Sequence, residues 1–286
     1  MKILLGIEGG AGKGIAATGA VKLADEAGHQ VDVITAWPQV WEGNPFVNKI
    51  YDWNRSEYLF EKIKEYDKII FDDPYRHSEF LLGNLDLTGV WNLMLNEIAE
   101  PAKPVMFLNK AEMLHVTNLL KDIKKPIFVV QTNGGSAEGY AWTRDIPLEE
   151  AAEILNQFNE EYEIIHLRAN GQLEIGGIKH TAELNIRQSI AVLALSEKRL
   201  LIDSVYQHAA AALDLPSVVL WAMTEPYMFG HELHTNVVCN EPLLKNTDRL
   251  EMLFKGLDAS LDKCPFGVNQ PIFDTEKVIK LLKDKN

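Results

Sequence analysis

Short apolar runs alternate with longer amphipathic stretches along the chain. The apolar runs predict buried strands at Ile3–Ile7, Val31–Thr35, Phe46–Tyr51, Lys68–Phe71, Pro104–Leu108, Ile127–Gln131, Glu163–Leu167, Leu200–Ile202 and Ser217–Trp221. The amphipathic stretches predict helices at Gly14–Ala27, Ser56–Tyr66, Ala111–Ile123, Pro147–Phe158, Glu183–Leu195, Asp203–Leu213 and Thr275–Lys285. This alternation is typical of parallel sheets that helices cover on both faces.

The alternation of strands and helices runs twice and breaks at Lys124–Pro126. We therefore predict an α/β fold with two doubly wound, Rossmann-like domains that face a cleft. The predicted domains are residues 1–124 and 125–286, with the last helix able to pack back on the first domain. Ligands of such sheets bind beside the carboxyl ends of the strands.

Composition and charge narrow the class of protein. Of the 286 residues 47% are hydrophobic and 24% are charged, which is typical of a globular protein and excludes a disordered chain. The net charge of −13 argues against a general attraction to nucleic acid or anionic lipid, although a local basic groove stays open.

Cysteine usage and the apolar segments bear on the cellular compartment. Cys239 and Cys264 are too few for a disulfide framework or a four-thiolate zinc site, so we expect free thiols in a reducing compartment. The first apolar run is too short for a signal peptide, and Val205–Met223 is interrupted by polar residues and a proline. We expect a cytoplasmic protein without a transmembrane segment.

A glycine-rich turn, Glu8–Gly14, follows the first predicted strand and opens the first helix. A nucleotide-hydrolysing P-loop is one interpretation, but Gly14 stands where a Ser or Thr would hold magnesium. A dinucleotide fingerprint would need Gly or Ala at Ile15. A turn that only packs strand against helix explains fewer glycines than the five within residues 6–14.

The most specific segment is Leu200–Leu213, in which a strand leads through Asp203-Ser204 to His208 and an alanine-rich helix. This pattern resembles the lipopolysaccharide heptosyltransferases of glycosyltransferase family nine, although Val205 replaces the usual glycine. The loop Thr132–Ser136, with Arg144 ahead of a helix, resembles the glycine loop and basic residue of that family. The first turn and helix and the Asn44-Pro45 step are similar as well, so the resemblance covers most of the chain.

The resemblance implies the two-domain fold called GT-B and an enzyme that transfers a sugar from a nucleotide-sugar. The second domain would bind this donor and the first domain the acceptor. The implied donor-binding residues are Thr132, Asn133, Gly134, Arg144, Asp203, Ser204, Gln207 and His208. The implied acceptor-binding residues are Gly10, Gly12, Trp37 and Trp41.

One departure concerns the catalytic base. Family nine places an aspartate after Gly12 to take the proton of the acceptor hydroxyl, whereas this chain has Lys13. Lys13 is then expected to contact donor phosphate, and another group must take the proton. Glu8 is the first candidate for this base, and Asp72, Asp73 and His77 follow it.

The implied reaction is an inverting transfer that needs no cofactor and no metal, since Arg144 and helix amides stabilise the leaving diphosphate. The donor is a co-substrate, and a hexose, heptose or pentose stays open. A saccharide acceptor is favoured over a hydroxymethylated base in phage DNA because of the net charge. The alternatives are a nucleotide-sugar-binding protein without turnover and a deviant P-loop-like hydrolase.

Each singled-out residue also has an ordinary structural interpretation. Asp203 suits an N-cap for the helix after it, and His208 suits a hydrogen-bonded core histidine. Trp37 and Trp41 suit ordinary packing, and Arg144 alone suits a solvated loop charge.

Overall fold

In the computed structural model the chain forms two compact units. One unit comprises Met1–Asn109 with Ala211–Asp214, and the other comprises Lys110–Ala210 with Leu215–Asn286. The structure describes residues 1–55, 59–134, 141–180, 184–240, 266 and 270–284. The expected N-cap Ser56, loop residues Gly135 and Ser136, and Cys264 lie outside the described residues. Within these ranges no helix is both long and apolar enough to span a bilayer.

The first unit is built on a parallel sheet of four strands in the order β3-β2-β1-β4. The strands are β1 (Lys2–Ile7), β2 (Gln30–Thr35), β3 (Lys49–Asp52) and β4 (Lys68–Ile70). The α-helices are α1 (Ala11–Glu26), α2 (Leu59–Lys62), α3 (Ser78–Leu81) and α4 (Leu87–Asn96). Single 3₁₀ turns occupy Pro38–Trp41, Trp53–Arg55, Ile63–Glu65 and Pro74–Arg76.

Helix α1 packs closely in the core of the first unit because its buried positions are mostly small. A Cβ atom on Gly19 would lie 2.3 Å from the carbonyl oxygen of Lys103, so the following chain approaches the bare helix backbone there. The Val105 amide donates to Thr18 Oγ1 at 2.9 Å. The predicted strand Pro104–Leu108 is therefore wrong, because this segment bonds to the helix instead of joining the sheet.

The second unit holds six parallel strands in the order β10-β9-β8-β5-β6-β7. They are β5 (Ile127–Val130), β6 (Glu163–His166), β7 (Lys179–His180), β8 (Lys198–Ile202), β9 (Val218–Trp221) and β10 (Thr235–Val238). The later helices are α5 (Lys110–Leu119), α6 (Leu148–Asn156), α7 (Ile186–Ala194), α8 (Val205–Ala212), α9 (Pro226–Phe229) and α10 (Thr275–Asp284). Edge-to-face contacts of Phe128, Phe158 and Tyr162 fill part of the core.

Two helices define the extent of the second unit. Arg187 of α7 bonds through Nε and Nη2 to both carboxylate oxygens of Glu112 on α5, at 2.6 and 2.7 Å. This pair joins α5 to α7 within the second unit, which begins at Lys110, whereas the predicted boundary lies between residues 124 and 125. The last helix, α10, packs on α6, and Lys198 Nζ donates to the Leu282 carbonyl oxygen at 2.8 Å.

Candidate functional site

The sheet of the second unit reverses its winding direction between β5 and β8. These strands are neighbours, yet the chain runs from β5 toward β6 and from β8 toward β9. Such a switch point leaves a crevice at the carboxyl ends of the two strands, where α/β proteins bind ligands. Gln131 spans it, because its Nε2 donates to Ser204 Oγ at 2.8 Å and to the Asn133 carbonyl oxygen at 3.0 Å.

Asp145 fixes the loop that follows β5. Its buried carboxylate accepts from Asn133 Nδ2 at 3.0 Å and from the backbone amides of Gly134 and Ala141, each at 2.8 Å. Three donors on one carboxylate hold the two ends of this loop together. The sequence analysis gave Asp145 no role, although a carboxylate beside Arg144 and after a glycine loop is a usable signal for such a clamp.

Arg144 and Asp203 meet at the switch point. Arg144 Nε lies 3.7 Å from Asp203 Oδ2, and the exposed fractions of the two side chains are 43% and 10%. A Cβ atom on Gly134 would lie 2.4 Å from Arg144 Cδ. Glycine at this position therefore leaves room for the aliphatic part of the Arg144 side chain. The guanidinium therefore faces Asp203 through its Nε edge, while the arginine side chain is partly exposed to solvent.

Burial raises the pKa of the Asp203 carboxyl, and the Arg144 guanidinium partly opposes that rise. Helix α8 begins two residues after Asp203, at Val205. The carboxylate thus lies next to the arginine, two residues before the start of the helix.

The other predicted donor residues are less accessible. Thr132, Asn133, Gln207 and His208 are buried, and Ser204 is half-buried. Thr132 Oγ1 lies 2.7 Å from His166 Nε2, and Gln207 Nε2 donates to the Phe229 carbonyl oxygen at 3.0 Å. These side chains are therefore hydrogen-bonded within the protein and stabilise the residues that border the crevice.

His208 of α8 clusters with two further histidines, His231 and His234. His208 Nδ1 and His231 Nε2 share a hydrogen bond of 2.9 Å, and His234 Nε2 donates to the Gln207 carbonyl oxygen at 2.9 Å. Burial, with repulsion from His234 and Arg144, lowers the pKa of His208 to about 3. The sequence analysis named His208 but neither partner, because the topology and not the spacing brings them together.

The sheet of the first unit has its own switch point, between β1 and β4. Lys13 Nζ lies 2.9 Å from Asp73 Oδ1 and 4.1 Å from the centre of the Tyr75 ring. The same carboxylate oxygen accepts the Tyr75 amide at 3.1 Å. Lys13, which stands where the resemblance implies an aspartate, is thus paired with the carboxylate of Asp73, a residue that follows the neighbouring strand β4.

The remaining predicted residues of the first unit differ in exposure. Glu8, Gly10 and Asp72 are exposed, and Gly12 is half-buried. Trp37 is exposed and its indole N–H donates to the Gly9 carbonyl oxygen at 3.1 Å. Trp41 is fully buried, with Nε1 3.5 Å from the position that a Cβ atom on Gly14 would take. Its burial makes Trp41 a packing residue, not part of an open acceptor surface.

In the described part of the chain, no group of three or more His, Cys, Asp or Glu side chains is arranged to hold a metal ion. The expectation of metal-independent chemistry stays a prediction.

Solved structures of other proteins share the fold of this chain. No protein-family profile matches the chain, and no curated sequence matches it. The glycosyltransferase family nine structure from Veillonella parvula DSM 2008 aligns over 99% of this chain and 96% of its own, with a TM-score of 0.71 at 14% identity. The ADP-heptose lipopolysaccharide heptosyltransferase II of E. coli aligns over 91% and 98%, with a TM-score of 0.64 at 14% identity.

The chain has the fold of the family-nine glycosyltransferases. A third structure with this fold is the iron-containing, dodecameric heptosyltransferase TibC of E. coli in complex with ADP-D-β-D-heptose. It aligns over 99% of this chain and 77% of its own, with a TM-score of 0.65 at 12% identity. The predicted α/β fold with two Rossmann-like sheets is confirmed.

Within the family-nine fold, the structure brings some predicted residues together. Arg144, Asp203 and Ser204 meet at the switch point of the second unit, beside Gly134. Lys13 and Asp73 meet at the switch point of the first. Gln131, Asp145 and Tyr75 are supporting residues that the sequence analysis did not select.

Proposed function

We propose that the protein is a glycosyltransferase that moves a sugar from a nucleotide-sugar donor to an acceptor hydroxyl. The fold supports this proposal, and the observation that carries it is the open Arg144 guanidinium beside Asp203 at the switch point of the second unit. A planar guanidinium can bond two phosphate oxygens at once, which suits a diphosphate.

The donor diphosphate leaves with the electron pair of the broken bond between the anomeric carbon and oxygen. Negative charge therefore grows on phosphate in the transition state, and groups aimed at it lower the barrier. Arg144 supplies a fixed positive charge, and the amides at the start of α8 supply donors and a favourable dipole. With these donors we expect no metal to be required.

The acceptor hydroxyl must lose its proton as the new glycosidic bond forms. Glu8 and Asp72 are exposed carboxylates at the ends of the strands that border the switch point of the first unit. We propose that one of them, first Glu8, takes this proton, with inversion at the anomeric carbon. A saccharide acceptor fits the net charge of −13 better than DNA does.

The test is donor binding by an Arg144 series. Calorimetry with ADP, UDP, GDP and dTDP comes first, since similar folds were solved with ADP and ADP-heptose. Arg144→Ala should weaken binding of the preferred nucleotide by about 10- to 100-fold, because a hydrogen-bonded charge is worth about 1.5–3 kcal/mol. Arg144→Lys should recover only part of this loss, because lysine lacks the planar fork.

Arg55→Ala is the matched control, since Arg55 is a highly exposed arginine of the first unit. Turnover is followed as nucleoside diphosphate release from the corresponding sugar nucleotides, with and without EDTA, and we expect EDTA to change nothing. Equal affinity in Arg144→Ala and wild type would refute the assignment. Tight binding without turnover would indicate a binding protein, and magnesium-dependent ATP hydrolysis abolished by Lys13→Ala would indicate the hydrolase.

A further inference from the structure

Lys13 is occupied within the protein. Its side chain is 8% exposed, its ammonium pairs with Asp73 Oδ1, and the Tyr75 ring covers it. The ammonium also lies against Gly9, because a Cβ atom on that glycine would be 3.4 Å from Nζ. A phosphate would have to displace both the carboxylate and the ring to reach this charge.

The pairing orients Asp73. Lys13 Nζ and the Tyr75 amide both bond to Oδ1, while the side chain keeps 36% of its surface exposed. Two donors restrain Oδ1, and neither of these two bonds uses Oδ2. A carboxylate held in this way can accept a hydrogen bond from a hydroxyl group.

An exposed aromatic surface adjoins the pair. Trp37 is 39% exposed, and its indole N–H bonds to the carbonyl oxygen of the same Gly9 that contacts Lys13. Gly9 thus contacts both the indole and the ammonium of the Lys13–Asp73 pair. An exposed indole near a carboxylate is suited to a pyranose ring, which has an apolar face and polar edges.

The charge around Trp37 disfavours an anionic ligand. Glu8 and Asp72 are exposed carboxylates that follow β1 and β4, and Arg76 is the exposed cation of the turn after β4. Because Lys13 and Asp73 pair with each other, two carboxylates remain against one cation. Phosphate-rich ligands are repelled by such a surface.

We infer that Trp37 and Asp73 form a binding subsite for a neutral saccharide, and that Lys13 is a positioning residue for Asp73 and not a phosphate ligand. This rests on the proposed function in treating the saccharide as the acceptor. The indole stacks on a pyranose face, and Asp73 Oδ2 accepts a hydrogen bond from a ring hydroxyl.

Saturation-transfer NMR without any donor tests the subsite directly. The probes are the methyl pyranosides of glucose, galactose, mannose and N-acetylglucosamine, with glucose 6-phosphate and pyrophosphate as anionic comparators. We expect a neutral glycoside to bind, and Trp37→Ala to weaken it roughly tenfold while Trp37→Phe keeps most of the affinity. Lys13→Met should weaken the same glycoside, Lys13→Arg should restore it, and neither should change the affinity for ADP.

Lys22→Met is the matched control, because Lys22 is an ion-paired lysine on the exposed side of the same helix. Thermal melting confirms that each variant is folded. With turnover, Trp37→Ala should raise KM for the saccharide acceptor and leave kcat within about threefold.

Three results would overturn the inference: no glycoside signal in wild type, tighter binding of an anionic comparator that depends on Lys13, or weaker ADP binding in Lys13→Met with unchanged glycoside binding. Failure of the proposed function gives a different pattern. In that case no sugar nucleotide binds or turns over, and the donor-free glycoside signal still reports on the subsite.

Discussion

The absence of a side chain at Gly134 controls the path of Arg144. A methyl group there would overlap Arg144 Cδ at 2.4 Å, and the Gly134 amide is bonded to the Asp145 carboxylate at 2.8 Å. We predict that Gly134→Ala lowers nucleotide affinity about tenfold, close to the effect of Arg144→Ala, because it displaces the guanidinium. Calorimetry with the preferred nucleoside diphosphate measures this.

Gly176→Ala is the control for that substitution, since a Cβ atom at Gly176 would meet nothing within 4 Å. The double variant with Arg144→Ala and Gly134→Ala should bind no more weakly than Arg144→Ala alone. Additive losses would show that Gly134 acts on the nucleotide by a route other than the arginine.

Single residues were predictable where a local pattern carried them. The segment around Asp203 and the loop before Arg144 are contiguous patterns, and their resemblance to family nine led to both residues before any contact was known. The partner of Lys13 was not predictable in this way, because Asp73 lies 60 residues away and only the pairing of β1 with β4 brings it near. His231 was missed for the same reason, whereas Asp145 was missed although a local pattern beside Arg144 was available.

Helix α5 is attached to helix α7 of the second unit by a largely buried ion pair. Arg187 and Glu112 are 6% and 16% exposed and bond through two parallel contacts. We predict that Glu112→Ala lowers the free energy of unfolding by about 3–5 kcal/mol, because it removes one partner of a buried ion pair. Urea denaturation followed by circular dichroism measures the change.

The exposed pair of Lys22 and Glu26 is the comparison for α5, since both of its side chains are substantially exposed. Lys22→Met should change the free energy of unfolding by less than about 1 kcal/mol. A loss of similar size in both variants would mean that the burial of Arg187 is not the cause.

Elements with strong periodic patterns were predicted well, and segments stabilised by distant partners were not. Strands β1, β2 and β5 lie within a residue of their predicted bounds, because continuous apolar runs fit a sheet buried on both faces. Helix α4 was not predicted, although Asp86 caps it by accepting the Gly89 amide at 2.6 Å. Gly89 and Trp91 obscure the apolar periodicity by which an amphipathic helix is predicted, and tertiary packing against α1 stabilises α4.

For the whole molecule, alternation alone predicted two parallel sheets, whereas the strand order needed the coordinates. Alternating strands and helices leave many orders possible, and the observed orders reverse at β1/β4 and at β5/β8, where each sheet has its switch point. The sequence placed the candidate residues at strand ends. The structure determined which strand ends are neighbours, and thereby which residues share a site.

Buried neutral histidines make the stability of the whole chain depend on pH. The pKa of His208 is lowered to about 3 by burial, and burial with repulsion from His208 and His234 lowers the pKa of His231 well below its ordinary value. In the unfolded chain both titrate near 6.5. Below that pH the unfolded chain binds protons that the folded protein does not, so stability is lost as the pH falls from 7 toward 4.

Asp203 contributes with the opposite sign. Burial raises the pKa of its carboxyl, so the folded protein binds this proton at a higher pH than the unfolded chain does, and stability is gained as the pH falls through the folded value. Between pH 7 and 5.5 the unfolded chain takes up protons on these histidines, because their unfolded pKa lies in that range. Each then costs up to about 1.4 kcal/mol per pH unit.

We therefore predict that His208→Gln reduces the fall in the free energy of unfolding between pH 7 and 5.5 by the contribution of about one titrating histidine. This holds whatever the substitution does to stability at pH 7. Urea denaturation at several pH values gives the slope, and His115→Gln serves as the control because His115 is exposed. Glutamine retains a hydrogen-bonding side chain but cannot titrate, so packing defects shift the whole curve while loss of the proton changes its slope. Parallel curves for wild type and His208→Gln would show that His208 is not kept neutral by the fold.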